Sequence, residues 1–157
     1  MRGCGDRGRA SLSGIKLCLI STTGGHLNQL LQLKEVYEKY EHYFVTVRSE
    51  YSVKVLENEK VFYITQVLRN PINLFVNLIE SLELLVSEKP HVVITTGAGD
   101  ALAMCYIAKL MGIKVIFVET FARVSTPSSF GILANPISDF TVVQWESLQD
   151  VYKGSVY

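Results

Sequence analysis

Residues 15–30 read IKLCLISTTGGHLNQL and combine three different sequence patterns. Residues 15–20 are almost entirely apolar, which is typical of a short strand that is buried on both faces. Two adjacent glycines follow, and over residues 26–40 the apolar side chains recur at helical spacing. The stretch therefore predicts a strand, a tight loop and a helix in direct succession.

The rest of the chain continues this alternation. We predict further strands at residues 42–47, 61–65, 91–95, 114–118 and 140–143, and helices at residues 71–88 and 101–111, the second ended by Gly112. Continuously apolar strands that alternate with helices indicate a parallel sheet with helices on both faces. The prediction is a single Rossmann-like α/β domain over residues 15–157. Residues 1–14, basic and rich in Gly and Ser, are interpreted as a flexible leader of the kind that an expression vector adds.

The composition argues against several classes of protein. Of the 157 residues, 48% are hydrophobic and 19% are charged, and 15 basic residues balance 15 acidic ones. This balance argues against disorder and against a protein that binds nucleic acid through its phosphates. The three cysteines (Cys4, Cys18 and Cys105) form no CxxC pair, which favours a reducing compartment. No signal peptide is evident and no apolar run reaches the ~20 residues that span a bilayer, so we expect a protein that is soluble or peripherally attached to a membrane.

Three loops are candidates for ligand binding, because parallel sheets bind ligands beyond the carboxyl ends of their strands. These loops are residues 21–26, 96–100 and 119–129. Gly24 and Gly25 in the first loop, and Gly97 and Gly99 in the second, allow the backbone to approach a ligand closely. A helix N-terminus after such a loop is suited to phosphate. The dinucleotide spacing GxGxxG is absent, and glycines that serve packing alone remain an alternative.

Two side chains in these loops are candidates for catalysis. His26 follows the first glycine pair at a helix N-terminus, which disfavours the imidazolium and suits a general base acting on a hydroxyl. The alternative is a histidine that only bonds a neighbouring loop. Glu119 could position a hydroxyl, orient His26 or pair with Arg123. We expect Asp100 to cap the following helix, with ligand binding as the alternative.

The predicted helix at residues 71–88 has an unusually wide apolar surface. Its polar residues fall in one narrow stripe, formed by Asn73, Asn77, Glu80 and Ser81. One sheet cannot easily cover so wide an apolar arc, so part of it is expected to meet a membrane or another protein. The alternative is a helix wedged deeply between its neighbours.

Four motifs in this order resemble those of the Alg14 family: SxxGGHLxQL, TTGAG, ETFARVS and FTVVQWESL. The family includes bacterial capsule and exopolysaccharide proteins of the CpsF, PssD and EpsE type, and the resemblance runs over residues 15–157. It implies the acceptor-side, N-terminal half of a GT-B glycosyltransferase similar to MurG. Eukaryotic members carry an N-terminal membrane-spanning helix and none is evident here, which favours the bacterial type.

The resemblance also implies an activity. The acceptor is expected to be a lipid carrying a pyrophosphate-linked sugar, with Gly24, Gly25, Gly97 and Gly99 against the pyrophosphate. His26 and Glu119 match the catalytic positions. The family implies an inverting transfer that needs no metal. This chain is expected to bind no cofactor, because the UDP-sugar donor is held by a separate Alg13-like chain, and to be inactive or nearly so alone.

The remaining expectations concern contacts with the membrane and the partner. Trp145 and Tyr152 are predicted as aromatic anchors for the partner chain. The alternative for Trp145 is that it only closes the edge of the core. Phe75, Leu78 and Leu82 are predicted to face the cytoplasmic surface of a membrane. Two other functions stay open: a non-catalytic scaffold that recruits its partner to the membrane, and an independent nucleotide-binding module. The absence of GxGxxG and of a P-loop argues against the module.

Overall fold

A computed structural model describes residues 14–157, in which six strands form one parallel sheet. The strands are β1 (Lys16–Ile20), β2 (Glu41–Thr46), β3 (Val61–Tyr63), β4 (Val92–Thr95), β5 (Lys114–Val118) and β6 (Phe140–Val142). Their spatial order is β3-β2-β1-β4-β5-β6. All six lie where the apolar runs predict them, to within one or two residues at each end. The predicted leader and Cys4 lie outside the described residues, except for Gly14.

Six α-helices connect and flank these strands. They are α1 (Gly25–Leu31), α2 (Lys34–Tyr37), α3 (Glu50–Val55), α4 (Pro71–Glu88), α5 (Gly99–Leu110) and α6 (Ser129–Ala134), with 3₁₀ turns at Asn135–Ile137 and Glu146–Leu148. The predicted helix at residues 71–88 is confirmed at both ends. The single helix predicted over residues 26–40 is wrong, because Leu33, with a ψ of 16°, leaves the α-helical conformation and separates α1 from α2. The short helices α3 and α6 were not predicted from the sequence.

The sheet is buried on both faces, as its continuously apolar strands predict. One hydrophobic cluster contains Cys18, Tyr43, Val93 and Phe117 and continues into α4, α5 and α6. The opposite cluster contains residues of alternate register, such as Leu19 and Phe44, and packs under α1 and α2. This two-sided burial is the packing expected of a parallel sheet in an α/β protein. Within residues 14–157 no helix is both long enough and apolar enough to cross a membrane.

Candidate functional site

The candidate site lies where the order of the strands reverses. β1 pairs with β2 on one side and with β4 on the other, so the loops after β1 and β4 leave the sheet side by side in opposite directions. Such a switch point forms a crevice at the carboxyl ends of the strands and is the usual ligand site of open α/β sheets. The two glycine loops of the sequence analysis are these two loops, and the topology brings them together as predicted.

His26 and Thr96 join the two glycine loops through a reciprocal pair of hydrogen bonds. The His26 imidazole donates from Nδ1 to the carbonyl oxygen of Thr96 at 2.8 Å. In return, the Thr96 hydroxyl donates to the carbonyl oxygen of His26 at 2.7 Å. Because a carbonyl can only accept, the proton of a neutral His26 ring is on Nδ1 and the lone pair is on Nε2. Nε2 has no hydrogen-bond partner among residues 14–157, so the half-buried ring presents a proton acceptor. His26 therefore bonds a neighbouring loop, as its alternative interpretation supposed. Because this bond uses only Nδ1, it is compatible with a general-base role for Nε2.

The four predicted glycines lie in two different environments. Gly24, Gly25 and Gly99 are exposed, and a Cβ atom built on any of them would meet no atom within 4 Å. Gly97 is buried, and a Cβ there would lie 3.4 Å from the Phe130 ring and 3.6 Å from the His26 ring. Its N–H is already used, since it donates to the Thr95 hydroxyl. Gly97 therefore makes room for the His26 ring, whereas the other three glycines border open space.

Asp100 does not cap α5, and this prediction is wrong. The helix begins at Gly99, two residues earlier than predicted, with Ala98 as its N-cap, so Asp100 falls in the first turn. Its buried carboxylate accepts from the Thr22 hydroxyl at 2.9 Å and from the Val67 N–H at 2.8 Å. Asp100 thereby ties three segments together: the first glycine loop, the start of α5 and the loop before α4.

Glu119 is a buried anchor for the third loop. Only 1% of its surface is exposed. Its carboxylate accepts from the N–H of Thr120 and from both the N–H and the hydroxyl of Ser128. The Tyr152 hydroxyl is a fourth donor. The pairing with Arg123, one of the three alternatives for Glu119, is wrong, because among the described residues Glu119 forms no ion pair. None of its hydrogen bonds reaches His26 either, so Glu119 holds the ends of the loop at residues 120–128 together.

Tyr152 is not an exposed anchor for a partner, and this prediction is also wrong. Its side chain is only 2% exposed and packs against Phe117 with the rings almost perpendicular. Burial and the neighbouring Glu119 carboxylate both raise the pKa of Tyr152, so the phenol remains protonated and donates its hydrogen bond. A Cβ on Gly131 would overlap the Tyr152 hydroxyl and lie 2.6 Å from Glu119 Oε2, so this network requires glycine at residue 131.

Trp145 closes the edge of the core, as its alternative interpretation supposed. The half-buried indole packs against the hydrophobic cluster under α5 and lies 4.9 Å from the Phe121 ring. Its N–H donates to the carbonyl oxygen of Phe121 at 2.8 Å. The indole thus supports the third loop from within, and a contact with a partner chain remains a prediction.

Helix α4 carries its polar stripe on the inside. Asn77 and Ser81 are completely buried, and the Asn77 amide donates to the carbonyl oxygens of Thr65 and Asp100. The Glu80 carboxylate accepts from the N–H and the hydroxyl of Thr65. The stripe therefore satisfies backbone groups of the loop before α4 and of α5. Because the polar stripe faces inward, the wide apolar surface of the helix faces outward.

The outward surface of α4 includes the three residues predicted to face a membrane. Phe75 is 65% exposed, Leu82 46% and Leu78 37%. Ile72, Leu74, Val76, Ile79 and Val86 on the same helix are exposed as well. A helix of 18 residues is about 27 Å long, and these apolar residues are spread along most of it. The alternative of a deeply wedged helix is wrong.

Three hydroxyl residues of the site were not predicted: Thr22, Thr96 and Ser128. Each lies in a loop that was predicted to bind ligand, so its position near the site could be inferred from the sequence. Its hydrogen-bond partner could not, because Thr22 bonds Asp100 and Thr96 bonds His26 across 78 and 70 residues of sequence.

Solved structures of similar fold support this architecture. The chain matches MurG of Acinetobacter baumannii with a TM-score of 0.69 and 16% identity, over 85% of this chain and 43% of that one. It matches a UDP-N-acetylglucosamine 2-epimerase of Rickettsia bellii with a TM-score of 0.71 and 17% identity, over 90% and 42% of the two chains. The chain thus spans about two-fifths of the length of these proteins. These likenesses confirm the predicted fold class, a Rossmann-like sheet resembling the N-terminal half of a GT-B protein.

Curated relatives and a family model identify the family. The relatives include the UDP-N-acetylglucosamine transferase subunits ALG14 of Yarrowia lipolytica and of Homo sapiens, each 27% identical over 95% of this chain and 82% of the relative. The family model described as "Oligosaccharide biosynthesis protein Alg14 like" matches residues 17–157. With the half-GT-B fold and the paired glycine loops in place, this match shows that the chain belongs to the Alg14 family.

Proposed function

We propose that the chain is the acceptor-binding subunit of a two-chain glycosyltransferase that transfers a sugar from a UDP-sugar to a lipid-pyrophosphate-linked saccharide. The observation that carries this proposal is the pairing of the two glycine loops around His26 at the switch point. Its relatives are named as subunits of UDP-N-acetylglucosamine transferases, so UDP-N-acetylglucosamine is the donor to test first. The corresponding role is in the biosynthesis of a polysaccharide or a lipid-linked oligosaccharide. In a bacterium, the product would be a capsule or an exopolysaccharide.

The proposed chemistry gives His26 the role of general base. An acceptor hydroxyl attacks the anomeric carbon of the donor, the bond from that carbon to UDP breaks, and the configuration inverts. The hydroxyl proton passes to Nε2 of His26, whose other nitrogen is held by the Thr96 carbonyl. Gly24, Gly25 and Gly99 border the space in which the acceptor pyrophosphate would lie. Glu119 acts through the loop that it anchors, and in this arrangement it is a positioning residue.

The proposal requires a second chain. Glycosyl transfer needs the donor and the acceptor held together with water excluded. The chain corresponds to about two-fifths of a MurG-like protein, and we assign the donor half to a separate Alg13-like subunit. In this assignment the UDP-sugar is bound by the partner, and this chain alone has little or no activity.

The outward apolar surface of α4 is the proposed contact with a membrane. Phe75, Leu78 and Leu82 would enter the headgroup region of the cytoplasmic leaflet, where the lipid acceptor is anchored. The same surface favours a second function, in which the chain is a non-catalytic subunit that only recruits its partner to the membrane. The two functions differ in what they require of His26.

Reconstitution from separately purified chains tests the proposal. The assay measures transfer of N-acetylglucosamine from UDP-N-acetylglucosamine to a short-chain prenyl pyrophosphoryl sugar. It is run with this chain, with the candidate donor subunit encoded beside it, and with their mixture. We expect transfer only in the mixture and co-purification of the two chains. Robust transfer by this chain alone would contradict the two-chain function.

A further inference from the structure

The three arginines of the described chain all lie at the carboxyl edge of the sheet. Arg48 follows β2, Arg69 lies between β3 and α4, and Arg123 follows β5. Because β1 and β4 are the two strands between β2 and β5, the glycine loops lie between Arg48 and Arg123. The ends of β2 and β5 are three strand spacings apart, roughly 14 Å.

Arg69 reaches the same place from the side of the helices. The loop before α4 contacts the start of α5, where the Val67 N–H donates to the carboxylate of Asp100. The other oxygen of that carboxylate accepts from Thr22 in the first glycine loop. Leu68 and Arg69 adopt left-handed conformations with φ angles of 41° and 57°. Two successive non-glycine residues in this region are unusual, and they turn the chain sharply between the Asp100 contact and α4.

The three arginines differ from the lysines in how their charge is used. Arg48, Arg69 and Arg123 are exposed, and none forms an ion pair within residues 14–157. Four lysines at the opposite edge are paired: Lys16 and Lys60 with Glu88, and Lys109 and Lys114 with Asp139. The loops that carry these arginines contain no lysine. The sequence thus places its only described guanidinium groups, without carboxylate partners, around the glycine loops.

The segments that carry these arginines are held by hydrogen bonds. The loop with Arg123 is fixed at its ends by Glu119, and the Arg123 N–H donates to the carbonyl oxygen of Thr120. The Arg48 guanidinium lies 5.5 Å from the centre of the Tyr63 ring, and the next residue, Ser49, caps α3. Such support lowers the entropy lost when a side chain binds a ligand.

Within residues 14–157 no acidic side chain at this edge forms an ion pair with Arg48, Arg69 or Arg123. Glu119 and Asp100 are buried, and their carboxylates are occupied by donors of the chain itself. Glu50, the first residue of α3, is exposed at this edge, and so is Glu146, whose neighbour Ser147 donates to the carbonyl oxygen of Val124. An exposed guanidinium without a carboxylate partner is suited to bind a phosphate group with two parallel hydrogen bonds.

We propose that Arg48, Arg69 and Arg123 form an arginine rim that binds the diphosphate of the lipid-linked acceptor over the glycine loops. The proposal rests on the proposed function and adds the side chains that supply the positive charge. The glycines provide space and backbone N–H groups, and the arginine rim neutralises the anion. Arg69 adjoins the exposed Leu68 and Ile72, so it lies where a diphosphate would pass into the apolar tail of its lipid.

Binding of a soluble prenyl diphosphate tests the arginine rim. The probe is geranyl diphosphate, titrated by calorimetry into the complex of the two subunits. Geranyl monophosphate and uridine diphosphate serve as comparison ligands. The variants are Arg48→Gln, Arg69→Gln and Arg123→Gln. Lys39→Gln is the matched control, because it removes the same charge from an exposed, unpaired residue at the opposite edge. Thermal unfolding of each variant confirms that the fold is retained.

We expect each arginine variant to bind geranyl diphosphate roughly ten-fold more weakly, the effect of removing one hydrogen-bonded charge, while Lys39→Gln binds like wild type. Affinity for uridine diphosphate should stay unchanged in all variants. Wild-type affinity in the folded arginine variants, or equal losses in Lys39→Gln, would overturn the arginine rim and leave the proposed function standing. Losses limited to uridine diphosphate would assign the arginines to the donor instead. Failure of the wild-type complex to bind geranyl diphosphate would overturn both proposals.

A vesicle assay separates the diphosphate from membrane headgroups. Vesicles of phosphatidylcholine alone and with about a third phosphatidylglycerol are compared by sedimentation. The arginine rim predicts that the variants retain most of their vesicle binding. Variants that bind geranyl diphosphate normally but lose only the anionic vesicles would show that the arginines contact headgroups, and would overturn the proposal.

Discussion

Replacing Tyr152 by phenylalanine should destabilise the fold without weakening contact with a partner. The change removes one oxygen atom from a side chain that is 2% exposed, and with it one of the four donors to the buried Glu119 carboxylate. A hydrogen bond to a charged group contributes about 1.5–3 kcal/mol, and three donors remain, so we expect a loss of about 2 kcal/mol in the free energy of unfolding. For a chain of this size, that loss lowers Tm by roughly 4–8 °C.

Urea unfolding followed by circular dichroism measures this loss. Tyr157→Phe is the control, because Tyr157 is 68% exposed and its change should stay within about 0.5 kcal/mol. Glu119→Gln and the double variant complete a mutant cycle, in which the two single losses should not add. A Tyr152→Phe protein that is as stable as wild type but fails to co-purify with its partner would refute the buried network and restore Tyr152 as an interface residue.

Three further predictions follow from the site, the surface and the buried charges. Gly25→Val should weaken binding of geranyl diphosphate at least ten-fold with little change in Tm, because a Cβ atom there meets no atom within 4 Å and the side chain would enter the proposed ligand space; unchanged affinity would contradict the glycine contact. Phe75→Asp should reduce sedimentation with vesicles severalfold, whereas Ile132→Asp, on an exposed residue of α6, should not; equal binding of the two would contradict the orientation of α4. Burial alone would raise the pKa of Asp139, but its hydrogen bonds with a backbone N–H and two lysines lower it to about 2. The stabilisation is therefore complete above about pH 4 and lost as pH falls toward 2, so Asp139→Asn should show a flatter decline of Tm over that range, and identical declines would contradict this role.

The strands and α4 were predictable because their signals are local. A run of apolar residues, a proline at a helix start and a glycine after a helix end each act on their near neighbours. The helices α3 and α6 have only six residues each, which is less than two turns and too short for a clear periodic pattern. The topology also placed His26 and the glycine loops correctly, since the carboxyl ends of neighbouring parallel strands must lie together.

The errors concern side chains whose partners are distant in the sequence. Asp100 is a suitable capping residue by type, but Thr22 and Val67 offer it donors that no local pattern reveals. Tyr152 is of an aromatic type that is common at protein interfaces, yet its hydroxyl donates to Glu119 and its side chain is buried in the core. The polar stripe of α4 has a normal amphipathic pattern. Only the neighbouring backbone groups that need hydrogen bonds explain why Asn77 faces inward and Phe75 outward.

The turnover of a His26→Ala variant in the reconstituted two-chain complex tests the proposed catalytic role most directly. A positioned general base typically contributes about 10²–10⁴ in rate. The catalytic role predicts that kcat falls by that factor while the complex still co-purifies and acceptor KM changes little. Gln32→Ala, exposed at the other end of α1, should keep wild-type turnover. Full turnover of the His26→Ala complex would contradict the catalytic role and leave this chain as a scaffold that only recruits its partner.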